Sequence, residues 1–217
     1  MTKSQIIKKT AAYVKKQTLD ESSGHDWWHI YRVWQNAKKI GRQEKADMFI
    51  VELAALLHDI ADYKFHGGDD TKGTKIASQW LGRLKVDKNV IKHVGNIILA
   101  ISFKGAGVKN KIKTKEGKVV QDADRLDALG AIGIARVFAT GARLNRPIYD
   151  PNIKPIIHKS FKSYKKHDSH SINHFYAKLL LIKDRMNTKA GKKMASNRHQ
   201  YLKKYLARFY KEWEGKI

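Results

Sequence analysis

His58 and Asp59 close the apolar run Leu53-Ala54-Ala55-Leu56-Leu57. A carboxylate at the edge of such a run is costly to desolvate unless it is paired or bound to a metal. A lone buried histidine is ordinarily a satisfied core residue, but an adjacent His and Asp in this setting reads as a candidate ligand pair. The chain has two other His-Asp pairs, and context separates them. His25-Asp26 precedes an apolar-periodic stretch, where Asp26 suits an N-cap, and His167-Asp168 lies in a lysine-rich polar segment and reads as surface. His29 shares a face with Val33, Arg32 and Asn36, so it points partly inward; taken alone it reads as structural. A third group is Asp122, Asp124 and Asp127, embedded among Leu126, Ala128, Leu129 and Ile132. Asp124 and Asp127 are three apart and share a helical face. Two like charges so placed are unfavourable without a cation nearby, unless solvent covers them.

The elements that must position these residues read as helices nearly throughout. Expected helices run over about 3–18, 26–41, 45–63, 70–84, 87–102, 117–138, 171–187 and 189–214, with edges good to a few residues. MFIVELAALLHDIADY, within 45–63, is apolar almost all round and should be central. Two loops stand out: Phe65-His66-Gly67-Gly68-Asp69-Asp70, and 139–170, which holds Pro147, Pro151 and Pro155 and the basic stretch HKSFKSYKKHDSH. No internal domain boundary is legible, so 1–217 is expected to form a single domain.

Composition limits the chemistry. The 217 residues contain no cysteine, which excludes disulfides, thiolate ligands and a cysteine nucleophile and suits a reducing cytoplasm. Nothing approaches the ~20 apolar residues of a membrane span, so no membrane partner is expected. Lys and Arg number 44 against 20 Asp and Glu, for a net charge of +24. Such a surface attracts polyanions, although the lysines are scattered, as on a generally basic solvated surface.

The ordered set His29, His58-Asp59 and Asp124, each on its own helix, resembles the His…His-Asp…Asp signature of the HD superfamily of phosphohydrolases. The flanks carry the likeness further: His29-Ile-Tyr-Arg-Val33, Leu-Leu-His58-Asp59-Ile-Ala-Asp62 and Asp122-Ala-Asp124-Arg-Leu-Asp127. GHDWWHIYRV, HDIADYKFHGG, ISFKG, QDADRLDALGAIGIAR and HFYAKLLLIKDRMNT are similar to a small single-domain bacterial branch, some of whose members are nucleotide pyrophosphohydrolases. The resemblance implies an all-α HD-domain bundle of about eight helices, with His29, His58, Asp59 and Asp124 holding one divalent metal ion. Asp122 remains the rival fourth ligand.

Two imidazoles and two carboxylates suit Mn, Fe, Co, Ni or Zn, with Mg also admissible. A metal there would polarise a phosphoryl group and acidify bound water. Asp62, one turn beyond His58, is the candidate proton-transfer residue, with a helix-end contact to Arg32 or Lys64 as its structural alternative. Lys64 and Lys104 are the leading candidates for clamping phosphate oxygens, ahead of Arg32 and Arg125; Asp127 is a candidate for a sugar hydroxyl or for orienting a ligand. His66 and His93 read as surface residues, so one metal is expected rather than two. The expected substrate is a (deoxy)nucleoside triphosphate, split to monophosphate and pyrophosphate by a cytoplasmic monomer or homodimer. Alternatives are a nucleotidase or other phosphomonoesterase acting on another phosphorylated small molecule, or a nucleic-acid-binding protein or nuclease using the basic 154–166 segment with Phe161 and Tyr164.

Overall fold

The computed structural model describes residues 1–18, 26–60, 71–101, 112–154 and 169–217, and among them there is helix and turn but no strand. The long helices are α1 (Lys3–Gln17), α2 (Trp27–Gln43), α3 (Met48–Leu57), α4 (Lys72–Arg83), α5 (Lys88–Ile101), α6 (Lys115–Asp127) and α7 (Gly130–Arg143). After them come α8 (Ser171–His174), a π-turn (Phe175–Leu179), α9 (Leu180–Ile182), a 3₁₀ turn (Lys183–Arg185) and α10 (Lys189–Trp213). No described helix is long and apolar enough to cross a membrane. The described residues up to Asp124 fall in one compact unit, and those from Arg125 onward in another.

In the first unit α3 is the centre, packed by α1, α2 and α5, while α4 packs on α5. Phe49, Ile50, Val51 and every residue from Leu53 to Leu57 are buried, and each large apolar side chain so placed contributes about 1.5–3 kcal/mol. The helix starts where Asp47 accepts bonds from the amides of Phe49 (2.9 Å) and Ile50 (3.4 Å), which satisfies two of the orphan donors of its first turn. Glu116 of α6 in turn accepts from the Asp47 amide at 3.1 Å. α4 is tied to α1 by the Tyr13–Trp80 stack (3.9 Å between centroids) and by the Trp80 indole N–H, which donates to Thr10 Oγ1 at 3.0 Å.

The second unit begins with a break that the periodicity did not predict. One helix was expected over 117–138, but α6 ends at Asp127 and α7 starts at Gly130. Gly130 has φ +71°, a left-handed conformation in which a Cβ is strained. A Cβ on Gly133 would stand 2.3 Å from the Ala128 carbonyl oxygen. The apolar pattern runs through the break because both helices bury one face, so hydrophobic periodicity alone could not show it. α7 packs on α8 and α10. There Phe175 is fully buried and stacks on Tyr205 at 5.9 Å, and Tyr149 meets Phe209, Tyr210 and Trp213 edge-on.

His174, at the π-turn, carries a pH dependence. Desolvation, reinforced by the charges of Lys178 and Arg146, lowers its pKa from 6.5 to about 3. The unfolded chain therefore binds a proton that the folded chain rejects between those values. The neutral ring's stabilising contribution is complete above about pH 6.5 and is lost as pH falls towards 3, at up to about 1.4 kcal/mol per pH unit. Urea-unfolding midpoints measured from pH 8 to pH 4 should fall more steeply for the wild type than for His174→Gln. Parallel curves would show that the ring protonates freely in the folded protein.

Candidate metal centre

Three helix ends of the first unit bring the charged residues together. His29 sits in the first turn of α2, where the Asp26 side chain caps the helix by accepting from the His29 amide at 2.8 Å. His58 and Asp59 follow directly on the buried end of α3. Asp124 lies near the end of α6. His29 and His58 are almost entirely buried, at 1% and 7% exposure, whereas Asp59 and Asp124 keep part of their surface open.

The ligating atoms converge. His29 Nε2 lies 3.2 Å from Asp59 Oδ2 and 3.6 Å from Asp124 Oδ1; His58 Nε2 lies 3.4 Å from Asp59 Oδ2 and 3.9 Å from Asp124 Oδ1. One ligand atom from each of His29, His58 and Asp59 falls within 4.8 Å of the other two. Donors bound at about 2.1 Å to a common ion are separated by about 3.0–3.4 Å along the edges of its coordination polyhedron; the two imidazole–Asp59 separations fit that spacing, and those to Asp124 are a few tenths of an ångström longer. His58 adds a tautomer argument. Its Nδ1 is 2.8 Å from the Ala55 carbonyl oxygen, a contact that requires the proton on Nδ1 and leaves the Nε2 lone pair available. That Nε2 is sealed from solvent and makes no hydrogen bond among the described residues, a costly arrangement in a buried site that holds no cation.

On α6 the competing carboxylates part company. Residues two apart on a helix project about 200° from each other, so Asp122 and Asp124 face nearly opposite ways. Asp124 reaches the imidazoles, and Asp122 is completely buried.

The remaining candidates are placed less centrally or fall elsewhere. Arg32 is half-buried on α2, one turn after His29. Asp62, Lys64, His66 and Lys104 lie outside the described residues. Arg125 and Asp127 belong to the second unit, where both have structural partners. The Arg125 guanidinium donates to the Arg185 carbonyl, and Asp127, 1% exposed, pairs with Arg136 at 2.7 Å. The Arg136 partner was not anticipated, although it lies in the same QDADRLDALGAIGIAR block. A spacing of nine residues across a helix break carries no periodic signal. The Ala55 carbonyl that orients His58 is a backbone group, which no residue-type pattern reveals.

Residues 27–129 match the HD domain family. An HD-superfamily hydrolase from Bacillus thuringiensis shares 44% identity, with 98% of this chain and 99% of that one covered and a TM-score of 0.77. A protein from Lactobacillus plantarum, 31% identical, covers 99% and 100% with a TM-score of 0.85. YpgQ from Bacillus subtilis is 37% identical over 204 residues, which is 94% of this chain and 91% of YpgQ. Its crystal structure in complex with ADP aligns with a TM-score of 0.75 at 36% identity, over 95% and 97% of the two chains.

The chain belongs to the HD superfamily, and it is a metal-dependent phosphohydrolase of that superfamily.

Proposed function

We propose that His29, His58, Asp59 and Asp124 hold one divalent cation and that the whole chain works as a single catalytic domain hydrolysing a (deoxy)nucleoside triphosphate to monophosphate and pyrophosphate. The observation that carries the metal assignment is the convergence of four donor atoms from three helix ends, with the His58 tautomer set by Ala55. The nucleotide class is supported by the ADP complex of YpgQ, which is similar to this chain over nearly its full length. A cation bound there supplies Lewis-acid polarisation of a phosphoryl oxygen and a water of lowered pKa. Manganese, iron, cobalt, nickel and zinc all suit this mixed N/O ligand set.

The chain's own groups divide the remaining work. Asp62, one helical turn after His58 in sequence, takes the proton of the attacking water. The water oxygen forms a bond to the α-phosphorus while the bond to the bridging oxygen breaks, and the pyrophosphate departs with the electron pair. Lys64, Lys104 and Arg32 clamp phosphate oxygens. Arg125 and Asp127 have structural partners in the second unit, the Arg185 carbonyl and Arg136, which sets a structural role beside the substrate role that the sequence suggested for them.

The test is hydrolysis by purified protein supplied with Mn, Co, Ni, Mg or Zn. Nucleoside and deoxynucleoside mono- and triphosphates are scored separately for pyrophosphate and orthophosphate. Pyrophosphate from triphosphates, absent in Asp59→Ala, is the expected result. Orthophosphate from monophosphates would instead make the protein a nucleotidase.

A further inference from the structure

The first unit contains a second polar concavity, built from α5 and the residues just before α6. It is an open surface depression of about 380 Å³, lined by the exposed side chains of Lys92, Asn96, Lys113 and Thr114, the half-buried His93 and the apolar Ile97. That volume is within the ~300–1,000 Å³ range of small-molecule sites. Among the described residues no carboxylate lines it. Among the described residues neither Lys92 nor Lys113 is ion-paired. Glu116 accepts the Asp47 amide through Oε1, and its Oε2 borders the depression beside His93. His93 was expected to be an ordinary surface residue. Instead its side chain is only 26% exposed and its Nε2 is closed to solvent. That atom lies 3.7 Å from Glu116 Oε2, beyond hydrogen-bonding distance, and makes no hydrogen bond among the described residues.

This cavity is distinct from the metal centre. His93 stands beside Glu116 on α6, and Asp124 lies eight residues further along the same helix, an axial rise of about 12 Å. Two ammonium groups, neutral amide and hydroxyl donors and an apolar wall make a receptor for a compact anion attached to a less polar body. Phosphate oxygens would take charge-assisted bonds from the lysines and neutral ones from Asn96 and Thr114. We propose that this cavity is a second binding site, for a phosphate-bearing small molecule, that needs no metal.

The experiment uses inorganic pyrophosphate as the probe. It is titrated calorimetrically into full-length Asp59→Ala protein in the presence of chelator, so that the metal centre cannot contribute. Saturable binding is expected, and the Lys92→Gln/Lys113→Gln pair should weaken it at least tenfold. Lys203→Gln/Lys204→Gln, which removes the same charge from an exposed stretch of α10, should leave it unchanged. Absence of saturable binding would overturn the proposal, as would equal weakening by both lysine pairs, which would mark general attraction to the +24 surface. Because the titration requires neither metal nor turnover, it stands or falls independently of the hydrolytic assignment.

Discussion

Replacing His58 with Ala lowers divalent-metal affinity, and turnover with it, by more than about a hundredfold. The magnitude follows from position. Residues that merely orient a metal-bound histidine cost about 10–100-fold when removed, and His58 offers a donor atom directly. Its Nε2 faces Asp59 and Asp124 at 3.4 and 3.9 Å, while its Nδ1 is occupied by Ala55. Truncation therefore deletes a donor that faces both carboxylates. Metal titration followed by dialysis, alongside kcat/KM for pyrophosphate release, checks the prediction. Asp122→Asn supplies the contrast. Projecting from the other side of α6, it should retain metal affinity within a few-fold, whatever it does to stability. If His58→Ala kept its metal while Asp122→Asn lost it, the ligand set would have to be redrawn around Asp122.

Asp127→Ala should cost about 3 kcal/mol of stability and leave KM nearly unchanged. Removing one member of a buried ion pair strands the other and costs about 3–5 kcal/mol. The lower end applies because Arg136 keeps 26% of its side chain in solvent. Arg198 adds to the effect: burial lowers its pKa, and the Asp127 charge opposes that shift. In a protein of this size the loss corresponds to a fall in Tm of about 6–12 °C. Calorimetry and Michaelis kinetics on the same preparation separate the two roles open to this residue. An unchanged Tm with a raised KM would return Asp127 to the substrate.

The fold class and the clustering of His29, His58, Asp59 and Asp124 were legible in the sequence for the same reason. An apolar run as continuous as Leu53–Leu57 can only be a buried core element, and a charged pair at its edge needs a partner. The order His29, His58-Asp59, Asp124 carried the family resemblance, and those side chains do meet. The break between α6 and α7 was hidden because both helices bury a face. A positive φ at Gly130 depends on a backbone path that residue spacing does not encode. His93 was misjudged because lysine neighbours suggest solvent, whereas the opposing wall at Lys113 and Thr114 is about twenty residues away in sequence. Asp62, Lys64 and Lys104 rest on motif spacing alone, as they lie outside the described residues.

The Asp26 cap would give the proposed metal centre a conformational gain control. His29 lies in the first turn of α2, the part of any helix that opens most readily, and only a formed turn presents its imidazole to the other donors. The apparent metal affinity is the intrinsic affinity multiplied by the fraction of time this turn is closed. A residue that never touches the ion thus sets how much of the protein is ready for it. With a cation held by His29 as proposed, metal concentration would in turn set how often α2 begins at Trp27, and the ion and the capping carboxylate would act as two ligands of a single folding equilibrium.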